Sequence, residues 1–233
     1  LLTSALFDHR YIPAPPGTGK PALPGSGNVR EKVLIVLHGL GDSLQGFTWM
    51  PSQLGLDGLS YLLVNAPDDY YGGFSWFDFT GGGAHMENAV PGILRGRKLI
   101  KGLVAEVMAQ GVASRDILLF GFSQGCLMAL DAGLRSDVRL GGICGVSGWL
   151  AFQNEYPEAF SPSAREQSFL VTHGFRDPLL PFAMSEAQCG FLKKQGIDMT
   201  FKAYDKDHTI LPEELRDIRE WLSQRLRDGA GPP

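Results

Sequence analysis

The run Ile117-Leu118-Leu119-Phe120, followed at once by Gly121-Phe122-Ser123-Gln124-Gly125, constrains this chain more than any other stretch. Four consecutive apolar residues read as a strand buried on both faces, and residues 124–134 carry apolar side chains at the i, i+3, i+4 spacing of a helix. A serine between them, with a glycine two residues to either side, reads as a strand-to-helix turn where only glycine-sized neighbours fit. Such a turn strains the serine backbone and lifts its Oγ clear of the sheet, the geometry of a nucleophile elbow. With 30 glycines in 233 residues, the pentapeptide by itself arises by chance often enough that its context has to carry the assignment.

That context is an alternation. Residues 33–37, 61–64, 117–120, 142–146, 169–172 and 200–204 read as short strands, and their apolar continuity predicts burial on both faces. Between them, residues 90–108, 124–134, 182–194 and 212–226 show helical spacing, several starting near Pro or Ser. Strand and helix in turn build right-handed crossovers, so the expected fold class is α/β, a mostly parallel central sheet with helices on both faces. One domain spanning 1–233 is the simplest division for this length, and 44% hydrophobic residues suffice for a sizeable core. An edge strand around 5–11, a Pro/Gly-rich linker over 13–28 and a frayed tail at 229–233 complete this division. The longest irregular stretch, 67 to about 88, mixes glycines with Tyr70, Tyr71, Phe74, Trp76, Phe77 and Phe79, and a loop of that length and composition is functional or disordered.

Several partners are excluded by composition. The net charge is −4 and no basic stretch is denser than Arg95-Gly96-Arg97-Lys98, so no nucleic-acid surface is expected. No apolar run approaches the roughly 18 residues of a membrane span, and residues 1–13 lack a basic-then-apolar signal pattern, so stable membrane insertion is not expected either. Three cysteines, Cys126, Cys144 and Cys189, have no metal-type spacing and leave an odd one over, which fits reduced thiols in the cytoplasm and no metal site. The segment Pro15-Pro16-Gly17-Thr18-Gly19-Lys20 imitates a phosphate-binding loop but has Ala14 for the first glycine and Pro21 for the Ser or Thr. No buried strand feeds it into a helix, so nucleotide binding is not expected.

An attacking serine needs a base to take its proton and a carboxylate to orient that base, in the chain order Ser, Asp or Glu, His for this kind of sheet. Asp177 follows the strand 169–172 through His173-Gly174-Phe175-Arg176, on the loop at its carboxyl end where sites gather. Its other reading is plain turn chemistry ahead of Pro178. His208 lies between the strand 200–204 and the helix starting near Pro212, at the same edge. Of five histidines it alone completes the order; His9 precedes the core, His85 sits in the glycine-rich loop, and His38 and His173 end strands, where packing or backbone hydrogen bonding is the expected duty. Negative charge on a tetrahedral intermediate requires N–H donors already in place, and the backbones of Gln124 and of Leu40, within His38-Gly39-Leu40-Gly41-Asp42, fit those posts.

Four blocks, His38-Gly39-Leu40-Gly41-Asp42, Ser75-Trp76-Phe77-Asp78, Gly121-Phe122-Ser123-Gln124-Gly125 and His173-Gly174 leading to Asp177-Pro178-Leu179, with His208 ahead of a terminal helix containing Trp221, resemble the carboxylesterase/phospholipase group of α/β-hydrolases that includes the acyl-protein thioesterases. The resemblance spans most of the chain. It implies a serine hydrolase of short- to medium-chain carboxylic esters or thioesters, without cofactor, acting through Ser123, His208 and Asp177 and an acyl-enzyme. It further implies that Trp76, Phe77 and Leu179 border the acyl group, and that the partner is a lipid-like or small-molecule ester, or an acylated protein. Two positions depart from the family: Asp207 stands where a glycine often precedes the histidine, and Cys126 follows the elbow in place of a smaller residue. Asp207 is expected to be solvated and Cys126 to be a buried helix residue. A lysophospholipase, a peptidase, or a non-catalytic module that binds acyl ligands with the same fold are the alternatives.

Overall fold

The structure, a computed structural model, describes residues 1–14, 32–79 and 86–227. The imitation phosphate loop, residues 15–28 of the expected linker, His85 and the tail at 229–233 lie outside them. Among the described residues, strands β1 (His9–Ile12), β2 (Lys32–Leu37), β3 (Leu59–Val64), β6 (Ile117–Phe122), β7 (Gly142–Val146), β8 (Ser168–Gly174) and β9 (Asp198–Tyr204) form one sheet in the order β1-β3-β2-β6-β7-β8-β9. Only β1 runs antiparallel, pairing His9 with Val64 and Ile12 with Tyr61. Strands β4 (Asp68–Tyr70) and β5 (Gly73–Ser75) make a separate hairpin inside the aromatic stretch expected to be irregular. Its two turn residues, Tyr71 and Gly72, both have positive φ, which a tight two-residue hairpin turn demands.

Alternation along the buried strands sorts the core into two layers. Val33, Ile35 and Leu37 of β2, with Ile117 and Leu119 of β6, face the cluster built with helices α2 (Met86–Ala109), α3 (Gln124–Leu134) and α4 (Phe182–Lys194). Leu34, Val36, Leu118 and Phe120 point the other way, toward Met50 and Leu54 of α1 (Met50–Leu54) and Ile218, Trp221 and Leu222 of α5 (Pro212–Arg227). Helix α5 opens with Pro212, Glu213 and Glu214 and ends with Arg225 and Arg227, so its charges complement the helix dipole at both ends. Among the described residues no helix is long and apolar enough to cross a membrane.

The junction of β6 and α3 is the tightest part of this packing. A Cβ on Gly125 would collide with the carbonyl of Leu37 on β2, and one on Gly121 would collide with the carbonyl of Gly125 itself. Cys126 presses on β7 in the same way: its thiol occupies the space a side chain at Gly145 or Gly148 would need. All three cysteines are unpaired and buried, and burial pushes each thiol well above its ordinary pKa, Cys189 to about 12. Gly125→Ala is therefore expected to lower stability by about 1–3 kcal/mol, since the obstacle is backbone and cannot rotate away. Gly190→Ala in α4, where an added Cβ meets nothing within 4 Å, is expected to raise stability by about 0.5–1 kcal/mol. Urea unfolding midpoints of the two variants check the pair.

Candidate active site

Three strand ends deliver the polar residues. Ser123 follows β6 with φ 55° and ψ −116°, a strained conformation for any residue with a side chain. Its N–H donates to the Val146 carbonyl at 2.9 Å, which ties the turn to the end of β7. Asp177 lies three residues beyond β8 and His208 lies between β9 and α5. The structure brings all three together: His208 Nε2 is 2.9 Å from Ser123 Oγ, and His208 Nδ1 is 2.7 Å from Asp177 Oδ2. A carboxylate can only accept, so Nδ1 carries the proton and Nε2 is left to accept the Ser123 hydroxyl. The ring of Phe122 packs on the imidazole with centroids 5.0 Å apart.

The Asp177 carboxylate is buried, and its second oxygen accepts from the N–H groups of Leu179 at 2.9 Å and Leu180 at 3.0 Å. Burial alone would push its pKa up; the His208 hydrogen bond and the Leu180 and Leu179 N–H donors outweigh that and hold it below the ordinary carboxylate value. Asp207 is exposed, as expected, and stands 3.9 Å from Arg176. His38 and His173 bond to backbone as their strand-end positions suggested: His38 Nε2 accepts from the Ala66 N–H at 2.9 Å, and His173 Nε2 meets the Leu180 carbonyl at 3.0 Å. Burial lowers the pKa of both, so they remain neutral imidazoles.

A cleft of about 470 Å3 opens over Ser123 and His208 and is lined by the Leu40 and Gln124 positions on one side and by Phe79, Trp149, Leu179 and Leu180 on the other. A second depression of about 500 Å3 shares Phe79, Trp149, Leu179 and Leu180 and continues past Val90, Ile93 and Met184. The two make one apolar groove leading away from the serine. Among the described residues, neither the Leu40 nor the Gln124 backbone N–H has an acceptor, and no group of three His, Cys, Asp or Glu could hold a metal ion.

Trp76 and Phe77 do not line this groove, which corrects the expectation that they border the acyl group. Both are 0% exposed and lie in the core layer beneath it. Trp76 Nε1 donates to the His38 carbonyl at 2.9 Å, and its N–H donates at 3.0 Å to Gln124 Oε1. Gln124 Nε2 donates to the Phe77 carbonyl at 3.0 Å, so the carboxamide is spent on the 75–77 segment while the residue lines the cleft. The phenylalanine and tryptophan side chains that line the cleft are instead Phe79, Phe122 and Trp149. Trp149 was missed in the sequence, although its place just after β7, at the carboxyl edge of the sheet, is the available signal.

The depressed Asp177 pKa carries a sign that can be measured. Its contribution to stability is fully present above the ordinary Asp range near pH 4 and is lost as the pH falls through the lower, folded-state value. Asp177→Asn is therefore expected to unfold with a shallower loss of stability between about pH 5 and pH 2 than the parent protein. Urea titrations at a series of pH values give that slope directly.

The chain resembles known proteins over most of its length. The family model described as phospholipase/carboxylesterase matches residues 23–226. Acyl-protein thioesterase 1 of Gibberella zeae is 30% identical over 212 residues, covering 83% of this chain and 90% of the relative. Acyl-protein thioesterase 1 of Schizosaccharomyces pombe is 35% identical over 166 residues, covering 68% and 74%. The crystal structure of SOBER1 from Arabidopsis thaliana superposes with a TM-score of 0.74 at 28% identity, over 84% of this chain and 99% of that one. The chain belongs to the phospholipase/carboxylesterase family of α/β-hydrolases, as an enzyme that hydrolyses carboxylic esters or thioesters.

Proposed function

We propose that hydrolysis proceeds through an acyl-enzyme on Ser123. The hydroxyl oxygen attacks the acyl carbon while His208 Nε2 takes its proton, and the Leu40 and Gln124 N–H groups hold the oxyanion. Collapse breaks the C–O or C–S bond, and His208 passes the proton to the departing oxygen or sulfur. Water then attacks the acyl-enzyme with His208 again as base, and Ser123 leaves with its proton restored. Asp177 remains a carboxylate throughout and fixes the imidazole tautomer. The observation that carries this reading is the continuous hydrogen-bond chain, 2.9 Å from serine to imidazole and 2.7 Å from imidazole to carboxylate, opening on a cleft with two uncommitted N–H donors.

The apolar groove past Phe79, Trp149 and Leu179 is the proposed seat of a short- to medium-chain acyl group, with the leaving alcohol or thiol turned toward solvent. Leu179 is 66% exposed at the groove's edge, so an acyl group still attached to a protein has room to enter. Three unpaired, buried cysteines suit the reducing compartment that a cytoplasmic enzyme occupies.

Ser123→Ala is expected to reduce turnover of p-nitrophenyl esters by at least about 10⁴-fold while the thermal midpoint stays near that of the parent. A fluorophosphonate probe should label the parent at Ser123 and leave the variant blank; an unlabelled parent would instead mark an idle module that only binds acyl groups. Trp149→Ala is expected to shift the preferred acyl length in a series of graded p-nitrophenyl esters, and an unchanged profile would remove the groove from the reading.

A further inference from the structure

Two residues before His208, Lys206 places an ammonium where none is expected. Its side chain and that of Glu214 are both 0% exposed, with Nζ donating to Glu214 Oε1 at 2.6 Å and lying 2.8 Å from Oε2. Nζ also donates to the Thr209 carbonyl at 2.7 Å and approaches the Ser147 hydroxyl at 3.2 Å. Burying both charges costs about as much as their attraction returns, so stability alone gives such a pair little reason to exist. Its contacts supply one.

Lys206 and Thr209 bracket His208, so one ammonium closes the loop around the imidazole. Glu214 Oε2 accepts the Leu211 N–H at 3.1 Å, which fixes where the same loop enters α5. Ser147 follows Val146, the residue whose carbonyl holds the Ser123 N–H, and donates its own N–H to Thr172 of β8 at 2.8 Å. On the third side, the Lys206 carbonyl accepts from Arg176 N at 3.3 Å, beside Asp177, and packs so closely on Gly174 that a Cβ there would collide with it. Lys206 thus touches the loops of His208 and Asp177 directly and reaches the Ser123 turn through the end of β7.

We infer that Lys206, neutralised by Glu214, is a positioning residue for acyl transfer: it braces the His208 loop against the end of β7, on which the Ser123 turn rests, and against the loop after β8 that carries Asp177. The inference rests on the acyl-enzyme reading given above. A methionine would fill the same space, but it offers no proton to Thr209 or Ser147, so the loop would keep its packing and lose its register.

The decisive variant is Lys206→Met combined with Glu214→Gln. Lys206→Met alone strands a buried carboxylate and is expected to lower the urea midpoint sharply, whereas the double variant leaves no buried charge at this site, keeps an acceptor for Leu211, and should unfold near the parent. In that folded double variant, kcat for p-nitrophenyl butyrate is expected to fall roughly 10- to 100-fold with KM unchanged. The far-downfield proton shared by His208 and Asp177 should broaden in the same sample. A folded double variant with parental kcat overturns the inference. If the double variant does not fold, Ser147→Ala, which leaves the ion pair whole, takes its place: lower kcat at constant KM supports the bracing role, and parental kcat overturns it. A parent protein that neither turns over esters nor labels at Ser123 would remove the acyl-enzyme reading, and the inference with it; a fully active parent beside an equally active double variant removes the inference alone.

Discussion

The closeness of α3 to the carboxyl ends of β2 and β6 is the constraint on which the site depends. Two missing β-carbons, at Gly121 and Gly125, let a helix begin directly against a strand carbonyl. That leaves Ser123 no room for ordinary backbone angles and forces φ to 55°. The strain is held by the packing of α3, whose residues are buried along their whole length, and by the Ser123 N–H bond to Val146. A looser junction would relax the serine back toward the sheet and move the Gln124 N–H with it.

The segment from β5 to Phe77 then holds the two sides of the cleft at a fixed separation. Gly41 N–H donates to the Phe74 carbonyl and Phe74 N–H to the Asp42 carbonyl, each at 2.9 Å, so the loop containing Leu40 is stitched to β5. A few residues on, the Gln124 carboxamide is bound to Trp76 and Phe77. Two N–H groups from distant parts of the chain are therefore referenced to one short strand. In the proposed role as oxyanion donors they are arranged before the reaction and need no reorganisation during it, which is where such sites gain most of their effect.

Much of this was legible in the sequence because the signals were strong and local. Continuous apolar runs predicted six sheet strands, and α3 and α4 fall on the predicted ranges. The chain order of Ser123, Asp177 and His208 was readable because each follows a sheet strand, and their meeting follows from a parallel sheet whose carboxyl ends share an edge, although β9, expected to be buried on both faces, is an edge strand and only Met199 in it is buried. The hairpin of β4 and β5 was not legible, since three-residue strands are too short to show alternation. Trp76 and Phe77 misled for a different reason: an aromatic in a glycine-rich loop can turn toward the cleft or the core, and only the His38 carbonyl and the α2 packing decide which. Lys206 escaped notice because a lone lysine at a strand end reads as solvated until its carboxylate partner is brought in from another helix.

Cys126, Cys144 and Cys189 have a bearing on how this enzyme can be handled. Sealed in the core and held protonated, none presents a thiolate to an electrophile or an aromatic disulfide reagent while the fold is intact. Sulfhydryl freed from a thioester can therefore be followed continuously by a chromogenic disulfide with native protein present, and colour arising from the polypeptide itself becomes a gauge of denaturation.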